Sequence, residues 1–149
     1  MRKWKDIFVD NTVAKNFCNP LDPEYKEFIR WLFFQGSLVV SNKILAEYNR
    51  TCSGSRSPSN ILAVIAAQTR RGRLRKFQNA ELATIQFSKG QVRKLRRNAE
   101  DYLHIKLVIL SRRRLALTND QNFAWDVNNF PGVAGRASNR PEKLPYRIP

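Results

Sequence analysis

Short apolar runs alternate along the chain with longer stretches in which apolar residues recur every three or four positions. Residues 5–10, 38–40 and 115–118 contain continuous apolar runs, which are typical of buried strands. The first run stops at Asp10, so this acid is expected at the carboxyl end of a strand. Parallel strands need long connections, and helices between them cover both faces of the sheet. The pattern therefore predicts an α/β fold of three layers, α/β/α, with a central, mainly parallel sheet.

One helix is expected before the second strand and one after it. Apolar residues spaced by three and four between positions 25 and 33 predict a helix that begins at Asp22-Pro23 and ends at Gly36. Ser41 can cap the next helix, because its hydroxyl can accept a hydrogen bond from an N–H group that the helix leaves unpaired.

The middle of the chain is partly ambiguous. Ser57-Pro58 predicts the start of a helix over 61–71, with Gly72 as its stop. Residues 73–99 fit either helix or strand and are left open. Residues 100–114 predict a strongly apolar helix, closed by three arginines whose charge complements the negative end of its dipole.

The last twenty residues have a different character. From Phe130 onward the chain contains four prolines and shows no apolar periodicity, so it is expected to be extended or loosely ordered. The predicted organisation is one folded domain over 1–129, followed by a proline-rich tail over 130–149.

Composition narrows the class of protein. The chain has 149 residues and is 42% hydrophobic, which suits one folded domain with a real core. No apolar run approaches the ~20 residues that span a bilayer, and the N-terminus is unlike a signal peptide. A soluble, cytoplasmic protein with no membrane partner is therefore expected. Cys18 and Cys52 are interpreted as free thiols, and the single His104 disfavours a zinc site.

Positive charge is concentrated in one segment. Of the net charge of +15, residues 50–114 carry +13, with 16 basic and 3 acidic residues. This concentration favours a phosphate-facing surface, although a membrane-surface patch or a plain solvated face would have the same charge. The residues expected to contact a nucleic-acid backbone are Arg70, Arg71, Arg73, Arg93, Lys94, Arg96 and Arg97.

Four acids occupy unusual positions in this pattern. Asp10 and Asp120 both follow apolar strands, so a parallel sheet presents them at one edge. Glu47 lies at the margin of a helix's apolar stripe, and Asp101 lies in the first turn of the most apolar helix. Taken singly, each acid has an ordinary interpretation as a turn residue, a solvated residue, an acid at a helix N-terminus or a helix cap. Taken together, they predict one site.

Carboxylates gathered in one place repel each other unless a cation lies between them. Without histidine or cysteine ligands, the expected cofactor is Mg²⁺ or Mn²⁺, as one ion or two. Such an ion lowers the pKa of a bound water and neutralises charge on a phosphate. An acidic metal site within a basic surround therefore predicts hydrolysis of phosphodiester bonds.

The same segments resemble the PIN-domain ribonucleases, a family that includes toxin ribonucleases of toxin–antitoxin systems. The resemblance covers roughly residues 4–125 and is carried by segments 7–12, 39–47 and 115–123, together with the helix at Asp101. It implies a PIN-like sheet of Rossmann-like topology and RNA cleavage with Mg²⁺ or Mn²⁺ held by the four matched acids. Residues expected to support the site are Asn11, Thr12, Thr118 and Asn122.

Three functional interpretations remain open at this stage. The leading one is a metal-dependent endoribonuclease, with DNA as an alternative substrate because metal-assisted cleavage needs no 2′-hydroxyl. The second is a catalytically inactive RNA-binding module or a subunit of an RNA-processing complex. The third adds a protein partner, either an antitoxin that covers the site or a second copy of the chain.

Overall fold

The structure is a computed structural model that describes residues 4–17, 21–52, 60–97, 99 and 102–148. Within these residues the strands are β1 (Asp6–Val9), β2 (Ser37–Val40), β3 (Arg75–Lys76), β4 (Leu115–Leu117) and β5 (Arg136–Ser138). The α-helices are α1 (Asn11–Ala14), α2 (Pro23–Phe34), α3 (Asn42–Cys52), α4 (Ile61–Arg70), α5 (Asn79–Leu82), α6 (Lys89–Lys94), α7 (Tyr102–Leu110) and α8 (Gln121–Asn128). A 3-10 turn follows at Pro141–Lys143.

The described strands form one parallel sheet in the order β3-β2-β1-β4-β5. Helices α1 to α4 pack against one another, and α5, α7 and α8 form a second group, so the fold has the expected three layers. From β1 the chain moves outward to β2 and β3 and then returns to the other side of β1 for β4 and β5. The carboxyl ends of β1 and β4 therefore meet at a topological switch point, where ligand sites form in open α/β sheets.

Burial in the core explains why the three central strands, β1, β2 and β4, contain continuous apolar runs. Every residue of β1, β2 and β4 is buried, because helices cover both faces of the sheet. Asp6 is the charged residue among them, and its Oδ2 accepts hydrogen bonds from the Arg75 side chain at 2.8 Å and the Arg112 N–H at 2.9 Å. Burial of this carboxylate is thus compensated at the amino end of the sheet.

Helix α2 begins and ends close to the predicted residues. Asp22 caps it by accepting the Glu24 N–H at 2.9 Å, and Pro23 is its first residue. The helix ends at Phe34, just before Gly36. A Cβ atom at Gly36 would lie 2.5 Å from the ring of Trp31, so only glycine fits where the chain turns into β2.

The caps of the next two helices follow the predicted chemistry in part. The Ser41 hydroxyl accepts the Ile44 N–H at 3.3 Å at the start of α3, as expected. Ser57 and Pro58 lie outside the described residues, and Asn60 caps α4 instead by accepting the Leu62 N–H at 2.8 Å. Gly72 has a φ of 65°, which agrees with its predicted role as a stop.

The helix predicted over 100–114 is shorter at its carboxyl end. Residues 100 and 101 lie outside the described part of the chain, and α7 ends at Leu110 rather than Arg114. The three arginines therefore belong to the turn into β4, although Arg114 still donates to the Ile109 carbonyl at 3.2 Å. Among the described helices, none has the length and apolar character needed to cross a bilayer.

The tail was expected to be extended or loosely ordered, and over its described residues it contains an extended strand and buried side chains. Residues 136–138 form β5, which pairs with β4 and extends the sheet. The ring of Tyr146 packs against Phe28 and Trp31, with centroids 5.0 and 4.9 Å away. Arg113 donates to the carbonyls of Pro145, Tyr146 and Ile148. A three-residue edge strand and one buried ring leave no periodic pattern in the sequence.

We expect Tyr146→Ala to lower the free energy of unfolding by about 3 kcal/mol, because it removes a buried ring from an aromatic cluster. Ile148→Ala is the matched control in the same tail, and its exposed side chain should change stability by less than about 0.5 kcal/mol. Urea unfolding followed by circular dichroism measures both. Equal stabilities of the two variants would show that the tail does not contribute to the core.

Candidate active site at the carboxyl edge of β1 and β4

The Asp10 side chain lies at the switch point between β1 and β4. Val9 pairs in register with Leu117, so Asp10 and Thr118 are neighbours just beyond the two strands. The Asp10 N–H continues the pairing by donating to the Leu117 carbonyl at 2.9 Å. Asp10 also caps α1, since its Oδ1 accepts the Asn11 N–H at 2.9 Å. The sheet therefore places this carboxylate as the sequence predicted.

Two threonine hydroxyls hold the other oxygen of Asp10. Thr12 and Thr118 donate to Oδ2 at 2.8 and 2.7 Å. Each hydroxyl in turn accepts a backbone N–H at 3.0 Å, Thr12 from Asn119 and Thr118 from Asp120. Because the hydroxyl protons are directed at the carboxylate, α1 and the loop after β4 are joined through Asp10. Thr12 and Thr118 thus orient Asp10, and their supporting role in a catalytic site stays a prediction.

Glu47 reaches across from α3 to α7. Its Oε2 lies 2.7 Å from Nε2 of His104, and its side chain is 27% exposed, at the margin rather than in bulk solvent. Burial raises the pKa of Glu47, but the hydrogen bond and charge of His104, with Lys43 and Arg50, outweigh it and lower the pKa below its usual value. The carboxylate is thus stabilised in its charged form.

Tyr48 links the Glu47 helix to the Asp10 strand. It is fully buried and donates its O–H to the Val9 carbonyl. Burial and the negative charges of Asp10, Glu47 and Cys52 raise the pKa of Tyr48 well above its usual value. Tyr48 follows Glu47 and Val9 precedes Asp10, so the hydrogen bond between them places both acids at the same end of the sheet.

Asp120 has two partners of different kinds. Its Oδ1 accepts the Phe123 N–H at 3.0 Å and caps α8, which is the ordinary role that the sequence allowed. Its Oδ2 forms an ion pair with Arg97. The fully buried Asp126 positions the backbone of this arginine. Its carboxylate accepts hydrogen bonds from the backbone N–H groups of Arg96 and Arg97 at 2.7 and 3.0 Å.

The predicted convergence of four acids is only partly described. Asp101 lies outside the described residues, and Asp10, Glu47 and Asp120 lie at the same edge of the sheet. Within the described ranges no group of three or more His, Cys, Asp or Glu side chains is arranged to hold a metal ion. A shared Mg²⁺ or Mn²⁺ site thus stays a prediction.

Asn11 and Asn122 are the remaining residues expected to support the site. The Asn11 side chain accepts a hydrogen bond from the Thr51 hydroxyl at 2.9 Å, so of Asn11 and Thr12 it is Thr12 whose side chain donates to Asp10. Asn122 is exposed on α8, and its side chain makes no hydrogen bond to another described residue. Nothing in these contacts ties Asn122 to the acids.

The seven basic residues predicted to bind nucleic acid do not form one surface. Arg70 is the last residue of α4, and Arg71 and Arg73 follow it at the amino end of the sheet, opposite to Asp10. Arg73 donates to the carbonyls of Leu32, Phe33 and Gly36 at the end of α2, so its predicted phosphate contact is replaced by a structural one.

Of the other four, Arg93 and Lys94 end α6, and Arg96 and Arg97 follow it on the way to α7. Arg93, Lys94 and Arg96 are exposed, whereas Arg97 pairs with Asp120. The guanidinium of Arg96 stacks over the Trp125 ring, with Cζ 4.1 Å from the ring centroid. Residues 93–97 are called the basic segment below, and the segment reaches the site through Arg97.

The sequence analysis missed the roles of His104 and Asp126. His104 was used only to argue against zinc, yet it is almost completely buried and pairs with Glu47. A signal was present, since His104 interrupts a helix that is otherwise apolar on nearly every face, and a buried polar group needs a partner. Asp126 gave no comparable signal, because its partners are backbone groups thirty residues earlier.

Comparison of the chain with protein-family models, curated proteins and solved structures gave no match. The resemblance to PIN-domain ribonucleases therefore stays a prediction based on the sequence segments. The structure establishes the α/β class and the positions of the described side chains.

We expect Thr118→Val to lower the free energy of unfolding by about 2 kcal/mol, because it keeps the shape but removes a hydrogen bond to a charged group. Thr69→Val on the exposed face of α4 is the control and should cost less than about 0.5 kcal/mol. Urea unfolding of both variants measures the difference. A Thr118→Val protein as stable as the control would contradict the role assigned to this hydroxyl.

Proposed function

We propose that the protein is a PIN-like, metal-dependent endoribonuclease whose site lies at the carboxyl edge of β1 and β4. The observation that carries the proposal is Asp10, a carboxylate held in one orientation at the switch point by Thr12 and Thr118. Glu47 and Asp120 lie at the same edge and add further oxygen donors, which suit a hard divalent cation. The basic segment 93–97 contacts Asp120 through Arg97, and its exposed cations suit a phosphate backbone.

Each residue has a distinct role under this proposal. Asp10, Glu47 and Asp120 would hold Mg²⁺ or Mn²⁺, with Asp101 as the fourth acid of the sequence prediction. When bound, the cation would supply an activated water and neutralise charge on the phosphate. Thr12 and Thr118 fix the orientation of Asp10, His104 fixes Glu47, and Arg97 is near enough to Asp120 to contact a bound phosphate.

A second function is favoured by the ion pairs at the site. Glu47 already has His104 as a partner, and Asp120 already has Arg97, so neither acid needs a metal ion to compensate its charge. An RNA-binding module without catalysis would keep these pairs and use only the basic segment. Such a protein would bind RNA in a salt-sensitive way. It would not cleave the RNA, whichever divalent metal is supplied.

The first test is RNA cleavage with Mn²⁺. We expect Asp10→Asn to reduce the cleavage rate roughly 100-fold or more, because it removes a charge on which the cation depends, while RNA binding is retained. Glu27→Gln is the control, since it makes the same change of charge on an exposed position of α2. Equal cleavage by wild type and Asp10→Asn would rule out this mechanism, and binding without any cleavage would support the inactive module.

The second test separates the two basic groups. We expect Arg93→Ala/Lys94→Ala to weaken binding of a single-stranded RNA and to reduce the slope of log affinity against log salt by about 1 to 2. Arg70→Ala/Arg71→Ala removes the same charge at the opposite end of the sheet and should leave the slope nearly unchanged. Fluorescence anisotropy without divalent ions measures both. Equal effects of the two double variants would show that the site does not direct RNA binding.

A further inference from the structure

A cleft opens beside Asp120, beyond the carboxyl ends of β4 and β5. It has a volume of about 430 Å³ and is bounded by residues 118–120 after β4, by one side of α8 and by residues 138–139 at the end of β5. Thr118 and Asp120 belong to both the cleft and the candidate site. A molecule in the cleft would therefore lie directly next to the carboxylates.

The wall of this cleft has an unusual composition. It contains one aromatic ring, from Trp125, and the amide side chains of Asn119, Gln121, Asn128, Asn129 and Asn139. Among the described residues that line it, Asp120 is the charged one, and no lysine or arginine takes part. A phosphate group would find no cation in the cleft itself, so the lining suits a neutral, polar and planar group.

Two of the amides are available to a ligand. Asn128 uses both of its polar atoms on the backbone of Ala137, at 2.9 and 3.1 Å, and Asn129 donates to the Trp125 carbonyl at 2.8 Å. The side chains of Gln121 and Asn139, in contrast, make no hydrogen bond to another described residue. An amide presents a donor and an acceptor side by side, which is the pattern that pairs with the edge of a nucleobase.

Trp125 connects the cleft to the basic segment. Trp125 lines the cleft, and Arg96 stacks on its ring with Cζ 4.1 Å from the centroid. A strand whose phosphates lie along residues 93–97 would thus bring its bases to Trp125. Stacking on an aromatic ring and hydrogen bonds to exposed base edges are how proteins bind single-stranded RNA.

From these contacts we infer that the cleft is a subsite for one unpaired nucleobase of the RNA, next to the bond that would be cut. Trp125 provides the stacking surface, and Gln121 and Asn139 provide hydrogen bonds that favour particular bases. The inference rests on the proposed function for the nature of the substrate. It adds that the substrate is single-stranded at the site and that recognition includes a base as well as the backbone.

The test compares oligonucleotides of equal charge by fluorescence anisotropy, with EDTA present so that nothing is cleaved. The probes are single-stranded RNA decamers of each base, the matching DNA decamers, and an RNA decamer in which the central positions are abasic. We expect wild type to bind the abasic decamer about tenfold more weakly than the best homopolymer, the size of effect that loss of one stacked base produces.

Variants assign the effect to the cleft. Gln121→Ala changes an exposed side chain, so it should fold normally and reduce the preference among the homopolymers. For Trp125→Leu, the dissociation constants of the abasic and base-containing decamers should lie within about twofold of each other. Circular dichroism reports whether this variant is folded. Gln35→Ala, an exposed amide at the amino end of the sheet, is the control and should keep the wild-type preference.

The outcomes separate this inference from the proposed function. Equal binding of abasic and base-containing decamers by wild type would overturn the subsite, as would an unchanged base preference in Gln121→Ala together with an unchanged abasic penalty in Trp125→Leu. Tighter binding of DNA than RNA, with the same dependence on Trp125, would keep the subsite but change the substrate. Cleavage with Mn²⁺, measured on the same preparations, decides the nuclease proposal independently.

Discussion

The carboxylate of Asp10 joins the two halves of the sheet, and the geometry of the carboxyl edge depends on it. A partly buried carboxylate is costly unless its oxygens accept hydrogen bonds, and Asp10 accepts them from the Asn11 N–H and from the hydroxyls of Thr12 and Thr118. One hydroxyl comes from α1 and the other from the loop after β4. Each also accepts a backbone N–H from the loop after β4. Helix α1 and this loop are therefore fixed by a single charge at the place where the strand order reverses.

The negative charges of the other two described acids at this edge, Glu47 and Asp120, are compensated by side chains from one region of the chain. His104 pairs with Glu47, and Arg97 pairs with Asp120. Both partners lie in the stretch that connects β3 to β4, which is the long crossover from one side of the sheet to the other. Asp126 holds the backbone of that stretch against α8. The crossover thus brings a cation or proton donor to two acids that come from opposite sides of β1.

The sequence predicted the parts of the fold that depend on burial over several consecutive residues. Strands β1, β2 and β4 and helix α2 have continuous or periodic apolar patterns, and the structure contains them where expected. Strands β3 and β5 are two and three residues long, lie at the edges of the sheet and carry mostly polar residues, so no pattern marks them. The position of Asp10 followed from its strand. The partners of Glu47 and Asp120 did not, because contacts across fifty-seven and twenty-three residues depend on how helices pack.

The ion pair at Asp120 does not conflict with a divalent cation there, because the two pairs at this edge differ in strength. The side chains of Arg97 and Asp120 are 29% and 20% exposed, and pairs that water reaches contribute only about 0 to 1 kcal/mol. His104 is 5% exposed, and its ring packs 5.3 Å from that of Phe8, so separating it from Glu47 would leave a buried polar group without a partner. Separating Arg97 from Asp120 therefore costs less free energy than separating His104 from Glu47. A phosphate near Asp120 would draw its guanidinium away and leave the carboxylate open to a cation, so substrate and cation would favour each other's binding under the proposed function.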